Sequence, residues 1–522
     1  MNPVKSERQP QGIWTKANAS IIVATALGPF MVFLDTLVAN VALPEIQADF
    51  GVGEDGLEWL VAAFSIGMAV SIMAWATVAD RFGRRLVYMV STGVFAVSSA
   101  AVGMAPDAVT MTIARAVQGV AGAAVIVAAL ALVSAAFPDS DERAKAIGLW
   151  TGVSTVALAL GPTVGGILTE SMGWRSAFLV NVPISLLVLV LAFKYVAESR
   201  EERFPGFDWG GQILFVIAIG ALIYGVIEGP KAGWSSPLVV TPLAVGAATL
   251  AAFAWYEYRH PDPMMDVHLF GNATYTLAII TILTGLFGVY GMLFVLTQHF
   301  QNVESYSPVR AGMLLLPYAI TIALLSPIAG RLAARFGSLP IARIGQTLLA
   351  AALAVVAVGM AISLHVIVVG LFLVGVAISL VLTPVTALAM GAVPVDKSGM
   401  SSGMLNAQRG IGSAFGYAVL GSILAFWLSG TLEDELRTVV TEPTARQEIA
   451  ERIINEATPY AYRAEIGPGR PLPELMPGQR EAIIAVARDD FIRGSQVGLA
   501  AASTICVISA VMLWRHRSSE SR

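Results

Sequence analysis

The chain holds one cysteine, Cys506, and five histidines in 522 residues. A lone thiol excludes an internal disulfide and a cysteine-based metal site. Cys506 falls in the last apolar run and reads as a small side chain facing lipid or neighbouring helices. Charge is scarce as well: charged residues make up 13% of the chain, about half of what a soluble domain carries. The net charge is −4 and the basic residues sit in turns, not in a stripe, which argues against a nucleic-acid partner. No GxxxxGK[ST] loop is present, so neither a nucleotide nor an ATP-driven pump is expected. No HExxH motif or serine-nucleophile elbow stands out, and neither an enzyme, a metal site nor a cofactor is expected.

What the chain has instead is apolar sequence, 56% of all residues. Uncharged stretches such as 116–136 reach the roughly 20 residues that a helix needs to cross a bilayer. Fourteen helices are expected, at 20–43, 57–79, 86–105, 108–136, 146–168, 177–197, 210–229, 237–257, 273–297, 310–332, 341–362, 366–390, 401–428 and 492–514. Helix is required because the bilayer core offers backbone N–H and C=O groups no other partner. The first apolar run is too long for a signal-peptide core and lacks a small-residue cleavage site, so it reads as retained. Short loops on one side hold Arg81, Arg84, Arg85, Arg143, Lys145, Arg200, Arg335 and Lys397, while the other side holds little more than Arg175, Lys231 and Arg310. That asymmetry places both termini in the cytoplasm.

The octet ATVADRFG at 76–83 returns as GRLAARFG at 330–337, agreeing at Ala79/Ala333, Arg81/Arg335, Phe82/Phe336 and Gly83/Gly337. Matching turns half a chain apart indicate two related halves, the plan of many secondary transporters. The division that follows is a tail (1–19), a six-helix half (20–197), a linker (198–209), an inserted helix pair (210–257), a second linker (258–272), a six-helix half (273–514) and a tail (515–522). A loop at 429–491, rich in Glu, Arg and Pro, interrupts the last half on the extracytoplasmic side. Within it, 446–457 and 479–487 have amphipathic spacing and suggest a short helical hairpin.

Few residues inside the spans can carry chemistry. Asp35 is an ionisable group in the first span, costly there and a functional candidate by default; it reads as a proton-coupling carboxyl or as a tie between helices. Arg115, in the fourth span beside Gln118 and Gly119, needs a counter-charge, with Asp35 one choice; otherwise it anchors the span and snorkels outward. Asp80 with Arg81, Gly83, Arg84 and Arg85 reads as a conformational latch, or as positive-inside anchoring. Gly161, Pro162, Gly165 and Gly166 give a kink and close packing. Glu228, Asn40 and Gln118 are candidates for substrate or cation contact. Glu257, His260 and Arg409 fall near span ends and read as interfacial, as do Trp59, Trp75, Trp174, Trp234 and Trp255.

Taken in order, LDTLVANVALP (34–44), ATVADRFGRR (76–85), RAVQGVAGAA (115–124), LGPTVGG (160–166) and GWRSAFLVNVP (173–183) resemble the fourteen-helix drug:proton antiporters of the major facilitator superfamily. Within them the chain resembles mycobacterial spectinomycin- and tetracycline-type multidrug efflux proteins. The resemblance covers nearly the whole chain. It implies an all-α integral membrane protein of the bacterial cytoplasmic membrane that exports small amphipathic or cationic drugs in exchange for protons by alternating access. It also implies proton coupling at Asp35 and Arg115, a latch at Asp80 and Arg84, and an antiporter kink at Gly161–Gly166. The sequence departs from the pattern at Leu37, where Thr is usual, and at Ala76 and Ala157, where Gly is usual. Export of an envelope lipid, siderophore or metabolite, and a membrane sensor without turnover, stay open as alternatives.

Overall fold

The structure, a computed structural model, describes residues 16–137, 140–200, 208–261, 263–393, 398–456 and 478–516. Most of the two tails, most of the first linker and residues 457–477 of the long loop lie outside the described residues. Every regular element among the described residues is helical. In chain order they are α1 (Lys16–Phe50), α2 (Glu54–Phe82), α3 (Arg84–Gly103), α4 (Ala108–Ala136), α5 (Ser140–Met172), α6 (Trp174–Leu179), α7 (Asn181–Tyr195), α8 (Trp209–Ala232), α9 (Pro237–Arg259), α10 (Ala273–Gln298), α11 (Pro308–Leu314), α12 (Leu316–Phe336), α13 (Ser338–Ile362), α14 (Leu364–Gly391), α15 (Ser398–Glu435), α16 (Pro443–Glu456) and α17 (Gln479–Arg515).

By length and composition, twelve helical stretches among the described residues are long and apolar enough to cross a membrane, two fewer than the sequence suggested. The expected spans at 57–79 and 146–168 are helices. Among the described residues α2 contains the apolar stretch Gly56–Ile72, and α5 follows its charged opening with an uncharged run. The last loop is also redrawn. Segment 479–487 is not one arm of a hairpin but the first turns of α17, which runs unbroken into the final span. That extension buries Asp490, whose carboxylate accepts bonds from Trp427 Nε1 (2.7 Å) and Thr431 Oγ1 (2.8 Å). The other amphipathic segment does form a helix, α16, which buries Ile449, Ala450 and Ile453 in the cluster that also contains Leu432 and Leu436 of the α15 end.

Helices α1–α7 pack chiefly on one another, as do α10–α17, and α8 with α9 forms a hairpin laid against α2 and α15. Small residues set the spacing. A Cβ at Gly119 would lie 2.0 Å from the Phe64 carbonyl oxygen, and one at Gly67 would lie 2.3 Å from that of Ala116, so α2 and α4 touch backbone to backbone. Between the two sets, α5 meets α11 in the same way: Gly166 faces the Pro308 carbonyl and Gly312 faces that of Pro162. These contacts lie toward the end of the molecule where α1 finishes at Phe50 and α2 begins at Glu54.

The opposite end carries the repeated turn, and the two copies share one geometry. Gly83 joins α2 to α3 at φ 109°, ψ 127°, and Gly337 joins α12 to α13 at φ 88°, ψ 147°. Only glycine adopts these angles without strain. Each preceding arginine lies over the next phenylalanine, Arg81 at 5.4 Å from Phe82 and Arg335 at 5.2 Å from Phe336.

Gly119→Val, which forces a side chain into the Phe64 carbonyl, should lower the thermal stability of the detergent-purified protein by about 1–3 kcal/mol or more. Gly93→Ala, where no atom lies within 4 Å of the new methyl group, should leave stability unchanged; equal losses would show that glycine spacing does not set the packing.

Candidate functional site

Asp35 sits on α1, 1% exposed, with no solvent to share its charge. Three donors from two other helices saturate it. Arg115 Nη1 of α4 lies 2.5 Å from Oδ2. Gln118 Nε2, one turn further along α4, donates to Oδ1 at 2.9 Å, and Asn181 Nδ2 of α7 donates to the same oxygen at 2.7 Å. Spacing of three residues puts Arg115 and Gln118 on one helix face. They also bind each other, Arg115 Nη1 to Gln118 Oε1 at 2.8 Å, while Gln118 reaches Ser99 Oγ of α3 at 2.6 Å. The guanidinium stacks over Phe64 at 4.3 Å and lies 5.5 Å from Phe178. Two donors therefore meet Oδ1 and the guanidinium meets Oδ2. A buried ion pair of this kind holds only where each lone pair and proton finds a partner.

Asn181 and Ser99 complete this node and were not singled out from sequence. The signal for Asn181 was its place as a lone amide within the apolar run FLVNVP. Asn40, one turn after Asp35, points elsewhere: it donates to the Thr36 carbonyl and to Tyr417 Oη of α15 at 3.3 Å. Leu37, the departure from the expected threonine, occupies the space against Gly161, where a Cβ would meet its own Cβ at 2.7 Å. Thr36 instead bonds back to the Val32 carbonyl. Gly165 faces Val38 in the same manner, so the glycines around Pro162 fit α5 to α1 on one face and, through Gly166, to α11 on another.

At the Gly83 turn, Asp80 pairs with Arg84 at 2.8 Å, within the same stretch of chain. Glu198, beyond α7, caps α3: its carboxylate accepts from the backbone N–H groups of Arg85 and Leu86, both at 3.0 Å. This is the favourable position for an anion at a helix N-terminus. A Cβ at Gly83 would lie 2.9 Å from that carboxylate, a second reason for glycine there. Arg85 reaches the Phe193 carbonyl and stacks on its ring. Thus the residues of this turn fasten α2, α3 and the end of α7 together, while Arg81 lies against Phe82.

Several residues expected at interfaces make contacts within the protein. Glu257 is 1% exposed, its carboxylate accepting from the Met265 N–H at 2.8 Å and lying with Asp208 over Gly211. Trp174 is buried and donates to Asp49, its ring edge-on to Phe50. Arg409 lies well inside α15, beside Asn406 and Thr386. Glu228 stays apart from the Asp35 node, half-buried near the end of α8. Glu58, not singled out from sequence, is fully buried where α2 meets α15 at Gly421 and Ser422.

Arg115→Gln leaves the Asp35 carboxylate buried without its cation and should destabilise the purified protein by about 3–5 kcal/mol. Adding Asp35→Asn should recover a large part of the loss. Thermal melts of both single variants and the double variant measure the coupling, and strictly additive losses would mean that the pair does not hold the node together.

Comparison with known proteins agrees with this architecture. The sequence model of the Major Facilitator Superfamily matches residues 25–417. Multidrug resistance protein Stp of Mycobacterium tuberculosis (strain CDC 1551 / Oshkosh) is 46% identical over 494 residues, covering 95% of this chain and 91% of Stp. Drug efflux pump JefA of the same strain is 36% identical over 498 residues, covering 94% of this chain and 97% of JefA. Among solved structures, a bacterial homologue of the human lysosomal transporter Spinster superposes with a TM-score of 0.67 at 16% identity, covering 96% of this chain and 97% of that one. With its helical architecture, its repeated glycine turn and a family match across most of its length, the chain belongs to the major facilitator superfamily, a family of membrane transporters.

Proposed function

We propose that the protein exports drugs from the cytoplasm of a bacterium in exchange for protons, by alternating access. The observation that carries this reading is the Asp35–Arg115–Gln118–Asn181 node, a carboxyl paired with a guanidinium and held away from solvent inside a helical bundle. A scaffold has no use for so expensive a group, whereas an antiporter needs a carboxyl whose proton is exchanged between two facings. The relatives named for multidrug resistance and drug efflux support the cargo class.

In this reading α2 and α5 also span, giving fourteen spans. Helices α1–α7 and α10–α17 form the two moving halves, and α8 with α9 is the inserted pair. The Gly83 end faces the cytoplasm with both termini, as the distribution of arginine and lysine requires. The close approaches of α5 to α11 and of Gln301 to the Val41 carbonyl then lie on the outer side, and the described conformation is closed to the outside. Protonation of Asp35 would release Arg115 and loosen the bridge from α1 to α4, one facing exchanging for the other. The Gly83 turn would act as the latch, with Asp80, Arg84 and Glu198 holding it. Each proton charge moving inward supplies about 2.3 kcal/mol per 100 mV.

The test is drug-triggered proton release from acidified everted membrane vesicles, with tetracycline, spectinomycin and a cationic dye. Wild-type protein should give substrate-dependent alkalinisation of the lumen, and Asp35→Asn, present in the membrane at the same level, should give none. Full proton-linked export by Asp35→Asn would sink the coupling role. Proton coupling without any of these drugs as cargo would favour export of an envelope metabolite.

A further inference from the structure

Among the described residues Arg409 is a cation without a counter-charge. It lies eleven residues into α15, about 16 Å along the helix axis from Ser398. Its guanidinium meets only neutral groups: Nη1 is 3.3 Å from Asn406 Oδ1, Nη2 is 3.4 Å from Thr386 Oγ1 of α14, and Nε is buried with no partner. Among the described residues no carboxylate pairs with it. Asp35 is engaged by Arg115, and Glu58, the buried acid facing α15, meets that helix at Gly421 and Ser422, about 18–20 Å further along. A guanidinium cannot shed its proton to escape this cost, and an unbalanced charge inside a membrane bundle marks a functional position.

Its surroundings suit a ligand. Tyr290 of α10 is close enough to act on Arg409 electrostatically. The Tyr290 ring meets Tyr417 edge-on at 5.7 Å, and Phe294, one turn further along α10, meets it edge-on at 6.1 Å. Arg409, Asn406, Thr386 and Tyr290 are all half-buried, which marks a surface left open between helices, not sealed packing. The Tyr417 hydroxyl accepts the bond from Asn40 of α1, so this surface borders the seam between the two helix sets.

We infer that Arg409 is the anion-recognition residue of a substrate site on the α10–α14–α15 wall, taking aromatic organic acids. The guanidinium fork, with Asn406 and Thr386, receives a carboxylate, enolate or sulfonate, and Tyr290, backed by the buried Tyr417, holds the attached ring. The site rests on the exporter reading and moves its cargo from cations toward acids.

The probe is a matched pair, nalidixate and its uncharged ethyl ester, which differ at the carboxylate alone. Equilibrium binding is measured on the full chain in phosphatidylcholine nanodiscs, so that no transport is needed for the readout. Wild type should bind the acid at least tenfold more tightly than the ester. Arg409→Gln should abolish that preference with ester binding within twofold of wild type, and Arg409→Lys should retain part of it. No preference in wild type, or a preference that survives in Arg409→Gln, overturns the site, and a parallel loss of both probes shows a structural role for Arg409 and overturns it too. Phosphatidylglycerol added to the nanodiscs separates the two sources of anion: acid preference that persists assigns a soluble ligand, and preference that vanishes assigns a lipid headgroup and overturns a substrate site. Binding as expected with no export in vesicles would leave the site standing and reject the exporter.

Discussion

A charge inside a bilayer needs a partner, and much of this bundle is arranged around that constraint. Asp35 is satisfied by side chains from α4 and α7, themselves tied to α3 and stacked on α2 and α6. Six elements therefore take their relative positions from one carboxylate. The cost of burying the pair makes the node sensitive: every donor present favours one arrangement, and loss of either charge leaves the other buried without its counter-charge. A group that is fully satisfied in one charge state and frustrated in the other is suited to switching.

Close packing supplies the complementary constraint. Lipid tails give apolar helices little reason to associate, so contact depends on how near the backbones can come. Gly67 and Gly119 fix α2 on α4, Gly161 and Gly165 fix α5 on α1, and Gly166 with Gly312 carries α5 across to the other helix set. The residues around Pro162 are therefore better understood as a two-sided contact surface than as a kink alone. The same helix that rests on Asp35's own helix also touches the opposite set, which gives a change at Asp35 a short mechanical route to the seam.

Much of the fold was legible because its signals are local. Long uncharged runs marked the helices, and the octet repeat marked two equivalent turns, whose glycines adopt nearly the same angles. Asp35, Arg115 and Gln118 stood out because a charged or amide side chain within an apolar run is conspicuous by itself. Glu198, Asn181 and Arg409 were harder to see. Glu198 serves a helix start over one hundred residues earlier in the chain, Asn181 matters only because α7 lies against α1, and the surroundings of Arg409 depend on α14 and α10, which its own span does not reveal. Hydropathy, which does not register how far a helix continues past its apolar segment, set the start of the last helix too late and left Asp490 in a loop.

The sequence alone determined that this chain is a helical membrane protein with internal repetition and a few intramembrane ionisable groups, because hydropathy and spacing are properties of neighbouring residues. Tertiary structure alone decided which of those groups meet. Asp35 and Arg115 are 80 residues apart and paired at 2.5 Å, while Asp35 and Asn40, five residues apart, serve different helices. The reason is geometric: on a helix, five residues turn a side chain to another face, and only packing between helices determines what that face encounters.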